Sequence, residues 1–188
     1  MNSKHAGHWS RAAATAAAIA AMAVLGGCAS MSESECQRAD WYQKGVQDGR
    51  DGQTRDRVED HAQACGKVGV HPDEARWQSG WAEGVRRYCR PANGWQLGLK
   101  GEFYRGVCAD QPDGAAFEDA YQSAKRIYDV GQQIDRNYRD MQRLERDLAE
   151  AKTDDERKRL RGLLRELDIE QQRLRQRQRM EMLSAPRP

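Results

Sequence analysis

Phenylalanine is nearly missing, with two in 188 residues, and isoleucine and valine are scarce. A large aliphatic core is thereby excluded, and aromatic rings and cross-links must hold a small one together. Net charge is small as well, +2 over the full sequence. Lys4 and Arg11 are the only charges in the first 32 residues, and without them the 31 basic residues fall to equal the 29 acidic ones. A neutral chain gives no footing for nucleic-acid binding, which rests on neutralising many phosphates. The alanine-rich apolar stretch 12–25 covers about 14 positions, short of the roughly 20 that a helix needs to cross a bilayer.

That stretch fits the apolar region of a secretory signal. Leu25-Gly26-Gly27-Cys28 closes it, and small residues followed by cysteine resemble the lipobox of bacterial lipoproteins. The resemblance implies that residues 1–27 are a signal peptide, and that Cys28 is the lipid attachment point, acylated on sulfur and on its new amine. Two or more acyl chains hold a protein stably on a membrane, whereas one does so only marginally. Ala29 stands where the inner-membrane retention signal of this class carries Asp. The implied location is therefore the outer membrane, facing the periplasm. Residues 28–35 then form a lipidated tether. Its part beyond Cys28, ASMSESE, is small and polar with nothing to bury, a flexible coil on the order of 15 Å long.

With Cys28 used for lipid, Cys36, Cys65, Cys89 and Cys108 remain, an even number in an oxidising compartment, which predicts two disulfides. Each stabilises the fold by roughly 3 kcal/mol for loops of this size. Three pairings are open, and spacing does not choose among them. Antiparallel helices over 40–50 and 55–65 would bring Cys36 to Cys65, which favours Cys36–Cys65 with Cys89–Cys108.

Residues 36–112 read as a Cys/Gly/Trp-rich helical domain. Trp41, Gly45 and Gly49 recur at four-residue steps, as do Trp77, Trp81 and Val85 beside Gly80, Gly84 and Tyr88; Gly94, Gly98 and Gly101 follow a similar rhythm. On a helix each set lies along one face. Glycine inside a helix costs about 1 kcal/mol relative to alanine, so its repetition points to close backbone approach, between helices or against a Trp ring. Thr54 is placed to cap a helix that Gly66 ends, Pro72 to open the next one ahead of Asp73 and Glu74, and Asn93 to cap a third. QDGRDG (47–52) reads as the turn ending the first helix and lacks the ligand count of a calcium loop. Short β-hairpins over GWQLGLKGEFYRG are the rival reading, with poor period-two alternation.

DWYQKGVQDGRDG, HAQACGKVGVHPDEARWQSGWAEGVRRYC, NGWQLGLKGEFYRGVC and FEDAY together resemble a family of bacterial lipoproteins catalogued only as a domain of unknown function, the 2799 family. The resemblance covers about residues 36–150, departing at Trp77 and Ser123, where Tyr and Gly are expected. It implies no activity.

Residues 113–183 carry no cysteine, heavy charge and a heptad. Ile127, Ile134, Met141 and Leu148 are seven apart, with Val130, Leu144 and Ala151 at the partner positions and polar Asn137 between them. This is a coiled-coil pattern, spanning 118–183 at its widest. Leu160, Leu163, Leu164, Leu167 and Leu174 resume it after KTDDER, where Thr153 and Glu156 fit a capping box. Reversal near Lys152 predicts a helical hairpin about 40 Å long. Leu144 then faces Leu160, Met141 faces Leu163, Asn137 faces Leu167 and Val130 faces Leu174. One continuous helix that dimerises is the alternative. Arg173, Arg175, Arg177 and Arg179 read as a solvated helix end rather than an anionic-surface contact. Residues 184–188 read as a disordered tail.

The predicted fold class is thus mainly α, a small disulfide-stapled domain followed by a coiled-coil hairpin. The chemistry in it is thin. His61, Cys65 and His71 have a spacing that zinc accepts, but Cys65 is expected in a cross-link. Asp60 and His61 are adjacent and point apart on a helix, and no serine or free-cysteine nucleophile accompanies them. Trp41, Trp77, Trp81, Trp95, Tyr88 and Tyr104 would form a sugar-stacking platform if exposed, yet the core needs those rings. The leading function is a non-enzymatic outer-membrane lipoprotein with no cofactor, metal or small-molecule substrate. Its partners are the membrane, through the lipid anchor, and a protein or a second copy, through the coiled coil. A cell-wall or glycan-binding module is the alternative, and a metal- or thiol-dependent enzyme the remote one.

Overall fold

The computed structural model describes residues 29–185. Among them there are helices and no strands: α1 (Glu33–Gln37), α2 (Trp41–Arg50), α3 (Arg57–Gly66), α4 (Glu74–Tyr88), α5 (Pro91–Lys100), α6 (Gly114–Glu150) and α7 (Asp154–Ser184). The fold class is mainly α, and the hairpin reading of GWQLGLKGEFYRG gives way to α5 up to Lys100 and a non-helical loop over 101–106. The chain divides into two compact units: residues up to 39 with 58–72, and residues 40–57 with 73 onward.

The first unit holds α1 and α3 from Val58. Ser32 caps α1 through its hydroxyl, which accepts from the Glu35 N–H, while the Ser32 N–H donates to the Glu35 carboxylate at 2.6 Å. This reciprocal arrangement satisfies two donors that a helix start otherwise leaves orphaned. Cys36 on α1 is bonded to Cys65 on α3, with Cα atoms 5.3 Å apart. Met31 is 7% exposed, so the segment 29–35 is not the unburied coil expected. The S-x-x-E pattern in SESE is the signal that contradicts a coil, and the thioether of Met31 is the apolar group that goes inside.

The second unit is built on two parallel helix pairs. Along α2 and α4, Gly45 lies against the backbone of Trp77 and Gly49 against that of Trp81 and Val85. Reciprocally, Gly80 lies against Tyr42 and Gly84 against Val46. Both numbers rise together, so the helices run the same way. A Cβ on any of these four glycines would meet a carbonyl oxygen at well under 3.0 Å. The repeated glycines therefore serve backbone-to-backbone approach, not ring packing. The antiparallel partner expected for α2 is thus corrected: α4, not α3, takes its glycine face. The disulfide that reading favoured forms nonetheless.

Two indole N–H groups close this pair. Trp77 Nε1 donates to the Asp48 carboxylate at 2.9 Å in a buried bond, and Trp81 Nε1 to the Gln53 carbonyl at 2.8 Å. Helix starts differ slightly from expectation. Asp73 caps α4, its carboxylate accepting from the Arg76 N–H, so Pro72 precedes the helix and does not open it. Pro91 opens α5, while Asn93 ties its amide to the Tyr88 carbonyl.

The second parallel pair is α5 with the first three turns of α6. Gly94 sits against the Phe117 backbone and Gly98 against Tyr121 and Lys125. The Cys89–Cys108 bond, with Cα atoms 5.4 Å apart, ties the C-cap of α4, just ahead of α5, to the turn before α6. Gly114 lies on the Cys108 carbonyl, so both helix starts meet at this bond. Phe117, Ala120, Tyr121 and Ala124 are buried, so α6 begins as core and only later becomes an arm.

Candidate functional site

The arm begins where α6 leaves α5. Ala151 has extended backbone (φ −60°, ψ 130°), and Thr153 caps α7 through its hydroxyl, which accepts from the Glu156 N–H at 3.2 Å. The Glu156 carboxylate reaches back to the Lys152 N–H. These contacts end one helix and start another, so the chain reverses and the continuous dimerising helix is not formed. Ile127, Val130, Ala151, Leu160 and Leu174 are buried in the seam. Met141, Leu144 and Leu148 are half-buried there. At 31 residues, α7 is about 46 Å long.

Asn137 sets the register. Its amide nitrogen donates to the Leu167 carbonyl at 2.9 Å and to Gln171 Oε1 at 2.8 Å, with both side chains buried. The Asn137–Leu167 facing read from the heptads is present. Gln171 carries no such signal, because a glutamine interrupts the leucine pattern that marks the seam. Leu163 is corrected: it is 39% exposed, and half-buried Leu164 sits in the seam instead. A polar pair inside an apolar seam stabilises one register over its neighbours. Replacing Asn137 with Leu leaves the Gln171 oxygen buried without its donor, at a cost of about 1–3 kcal/mol. The Asn137→Leu, Gln171→Leu double variant should recover that loss while admitting other registers and self-association. Thermal denaturation and sedimentation read the two effects.

The tail reading is corrected at its start: Ser184 is the last residue of α7, and residues 186–188 lie outside the described ones. Arg126 of α6 pairs with Glu181 of α7 at 3.1 Å, which holds the far end of the hairpin closed. In the arginine run, Arg173 pairs with Glu170 of its own helix at 3.8 Å, and the other three are exposed.

The rings are spent in the core. Trp41, Trp77, Trp81 and Tyr88 are buried, and Trp95 and Tyr104 half-buried. Tyr104 packs 4.9 Å from Phe117 and 5.4 Å from Tyr121, and its hydroxyl accepts from the Cys108 N–H. Burial pushes the Tyr88 phenol up to about 12, helped by Tyr104 beside it. Little aromatic face is left for a stacked sugar. On the outer side, the Tyr42 hydroxyl donates to the Glu83 carboxylate, which raises the phenol's pKa and lowers the carboxyl's.

Cys28, the expected lipid attachment point, and residues 1–27, the expected signal, lie outside the described residues. The chain docks soon after them. Ser30 Oγ and His61 Nδ1 share a hydrogen bond of 2.8 Å, and His61 is fully buried. That contact engages one ring nitrogen of His61, and Cys65 of the zinc spacing is cross-linked. His71 is exposed. No group of three potential metal ligands occurs among the described residues. No described helix is long and apolar enough to cross a membrane. Nothing in the sequence points to the Ser30–His61 contact, since it joins residues 31 apart.

Residues 40–126 match a known family, a narrower stretch than the 36–150 expected. The match opens at Asp40, which caps α2, and closes at Arg126, where α6 leaves α5. It thus covers both parallel pairs and omits the hairpin. No curated protein and no solved structure matches the chain. Over residues 40–126 the chain is similar to the family described as Protein of unknown function (DUF2799).

Proposed function

We propose that the protein is a lipid-anchored lipoprotein of the outer membrane's periplasmic face, without enzymatic activity, whose helical arm presents a surface to a protein partner. The observation that carries this reading is the docking of the chain directly after the lipobox. Ser30 is bonded to buried His61 and Met31 is inside. Only Ala29 separates Ser30 from Cys28, a reach of about 7 Å. An acyl anchor at Cys28 would hold the first unit on the lipid surface, with no spacer to let it roam. The arm supports the partner role. Its own seam is filled by α7, so a second copy is not needed to cover it. Tyr138 and Ile169 stay exposed on its outer faces.

Intact mass of the protein from envelopes, with and without reductant, tests the anchor. Loss of residues 1–27, added acyl mass on Cys28 and two hydrogens gained per disulfide are expected. An uncleaved precursor with an unmodified Cys28 would sink it. A photo-crosslinking residue at Tyr138 or Ile169 tests the arm, with a discrete envelope adduct expected. No adduct from either position counts against the arm.

A further inference from the structure

A recess in the second unit brings together two arginines that nothing above employs. It is a cavity of about 170 Å³ between the loop after α2 and the turn before α6, lined in part by Thr54, Arg55, Trp81, Arg105, Asp110 and Gln111. Both walls are braced. On one side the Trp81 indole N–H holds the Gln53 carbonyl at 2.8 Å, and the Arg55 guanidinium lies 4.9 Å from the Trp81 ring centre. Stacking engages the flat face of a guanidinium and leaves its in-plane N–H donors free for an oxygen ligand. On the other side Cys108 is bonded to Cys89, its N–H donates to the Tyr104 hydroxyl at 2.9 Å, and its carbonyl accepts from the Gln111 N–H at 3.0 Å. Arg105 therefore stands on a turn that does not need ordering before it binds.

Neither Arg55 nor Arg105 forms an ion pair among the described residues. Asp110 shares the recess without pairing to either. The three charges sum to one positive, which suits a singly charged oxyanion and works against a doubly charged phosphate. Thr54 and Gln111 add neutral hydrogen-bonding groups. The volume is about that of five or six waters, enough for a carboxylate with a few carbon atoms attached.

We propose that this recess binds a singly charged carboxylate, with Arg55 and Arg105 as its donors. The carboxylate belongs either to a small free acid or to the C-terminus of a peptide ending in a small residue. Calorimetric titration of the mature protein in detergent tests the site, with acetate, N-acetyl-alanine, N-acetyl-alanyl-alanine, inorganic phosphate and uncharged acetamide as probes. The expected result is saturable carboxylate binding with a Kd of about 1 mM or tighter. Phosphate should bind at least about tenfold more weakly and acetamide not at all. Arg55→Gln and Arg105→Gln should each weaken carboxylate binding about tenfold, the loss of one charge-assisted contact, with the circular dichroism spectrum unchanged. Tighter binding of the dipeptide than of acetate assigns the peptide terminus, and equal binding assigns the free acid. Absence of saturation with every carboxylate, phosphate binding more tightly than carboxylate, or undiminished affinity in both variants would overturn the proposal.

Discussion

Gly80→Ala should lower the melting temperature by about 5–10 °C, as a net loss near 2–3 kcal/mol does for a chain of this size. The new methyl would meet the Tyr42 carbonyl at well under 3.0 Å and the Val46 nitrogen at 3.0 Å. Those are backbone atoms of α2, held in their own helical hydrogen bonds, so they do not swing aside. The two helices would have to separate, loosening the Trp77–Asp48 bond and the packing of both indoles. Overpacking of this kind typically costs about 1–3 kcal/mol, occasionally more. A carbonyl in the way places Gly80 at the upper end, beyond the roughly 1 kcal/mol that alanine returns as a helix former. Gly162→Ala is the matched control. Gly162 lies inside α7 with nothing within 4 Å of an added methyl, so only the propensity gain remains and the melting temperature should rise. Equal effects at the two positions would show that close approach is not what the glycines serve.

Loss of either disulfide should cost about 3–4 kcal/mol on the loop-closure estimate, for separations of 29 residues in Cys36–Cys65 and 19 in Cys89–Cys108. That is a large share of a total stability of about 5–15 kcal/mol. The two losses should differ in where they are felt. In the first unit, α1 is five residues long and is tied to α3 by Cys36. The Cys36→Ser, Cys65→Ser variant should lose hydrogen-exchange protection in α3 while the α6–α7 hairpin keeps its own. The Cys89→Ser, Cys108→Ser variant should loosen the α5–α6 pair and, with it, the turn that carries Arg105. All four sulfurs belong to buried residues, so the folded protein should resist reductant until it opens. Uniform loss of protection across the chain in either variant would refute this local assignment.

Much of the architecture is legible in the sequence because it is written in short-range patterns. The heptads of α6 and α7, Thr153 with Glu156, and Asn137 opposite Leu167 all follow from spacing along one helix or across one tight reversal. The glycine faces of α2, α4 and α5 are visible for the same reason. SESE holds two signals at once, a capping box and a run of small polar residues of the kind expected in a tether, and the buried Met31 sides with the first. Gln171 and the shift from Leu163 to Leu164 are not legible, because a heptad names a face without deciding which flanking residue enters the seam.

The amino-acid order alone determined which residues share a helix face and how many sulfurs there are to pair. Periodicity and capping are local physics, complete within a few turns. Only the tertiary structure decided that α2 runs parallel to α4, that Ser30 docks on His61, and that Arg55 and Arg105 meet in one recess. Each of those joins stretches far apart along the chain, and a distant pairing is chosen by the summed fit of whole faces, which no single stretch contains.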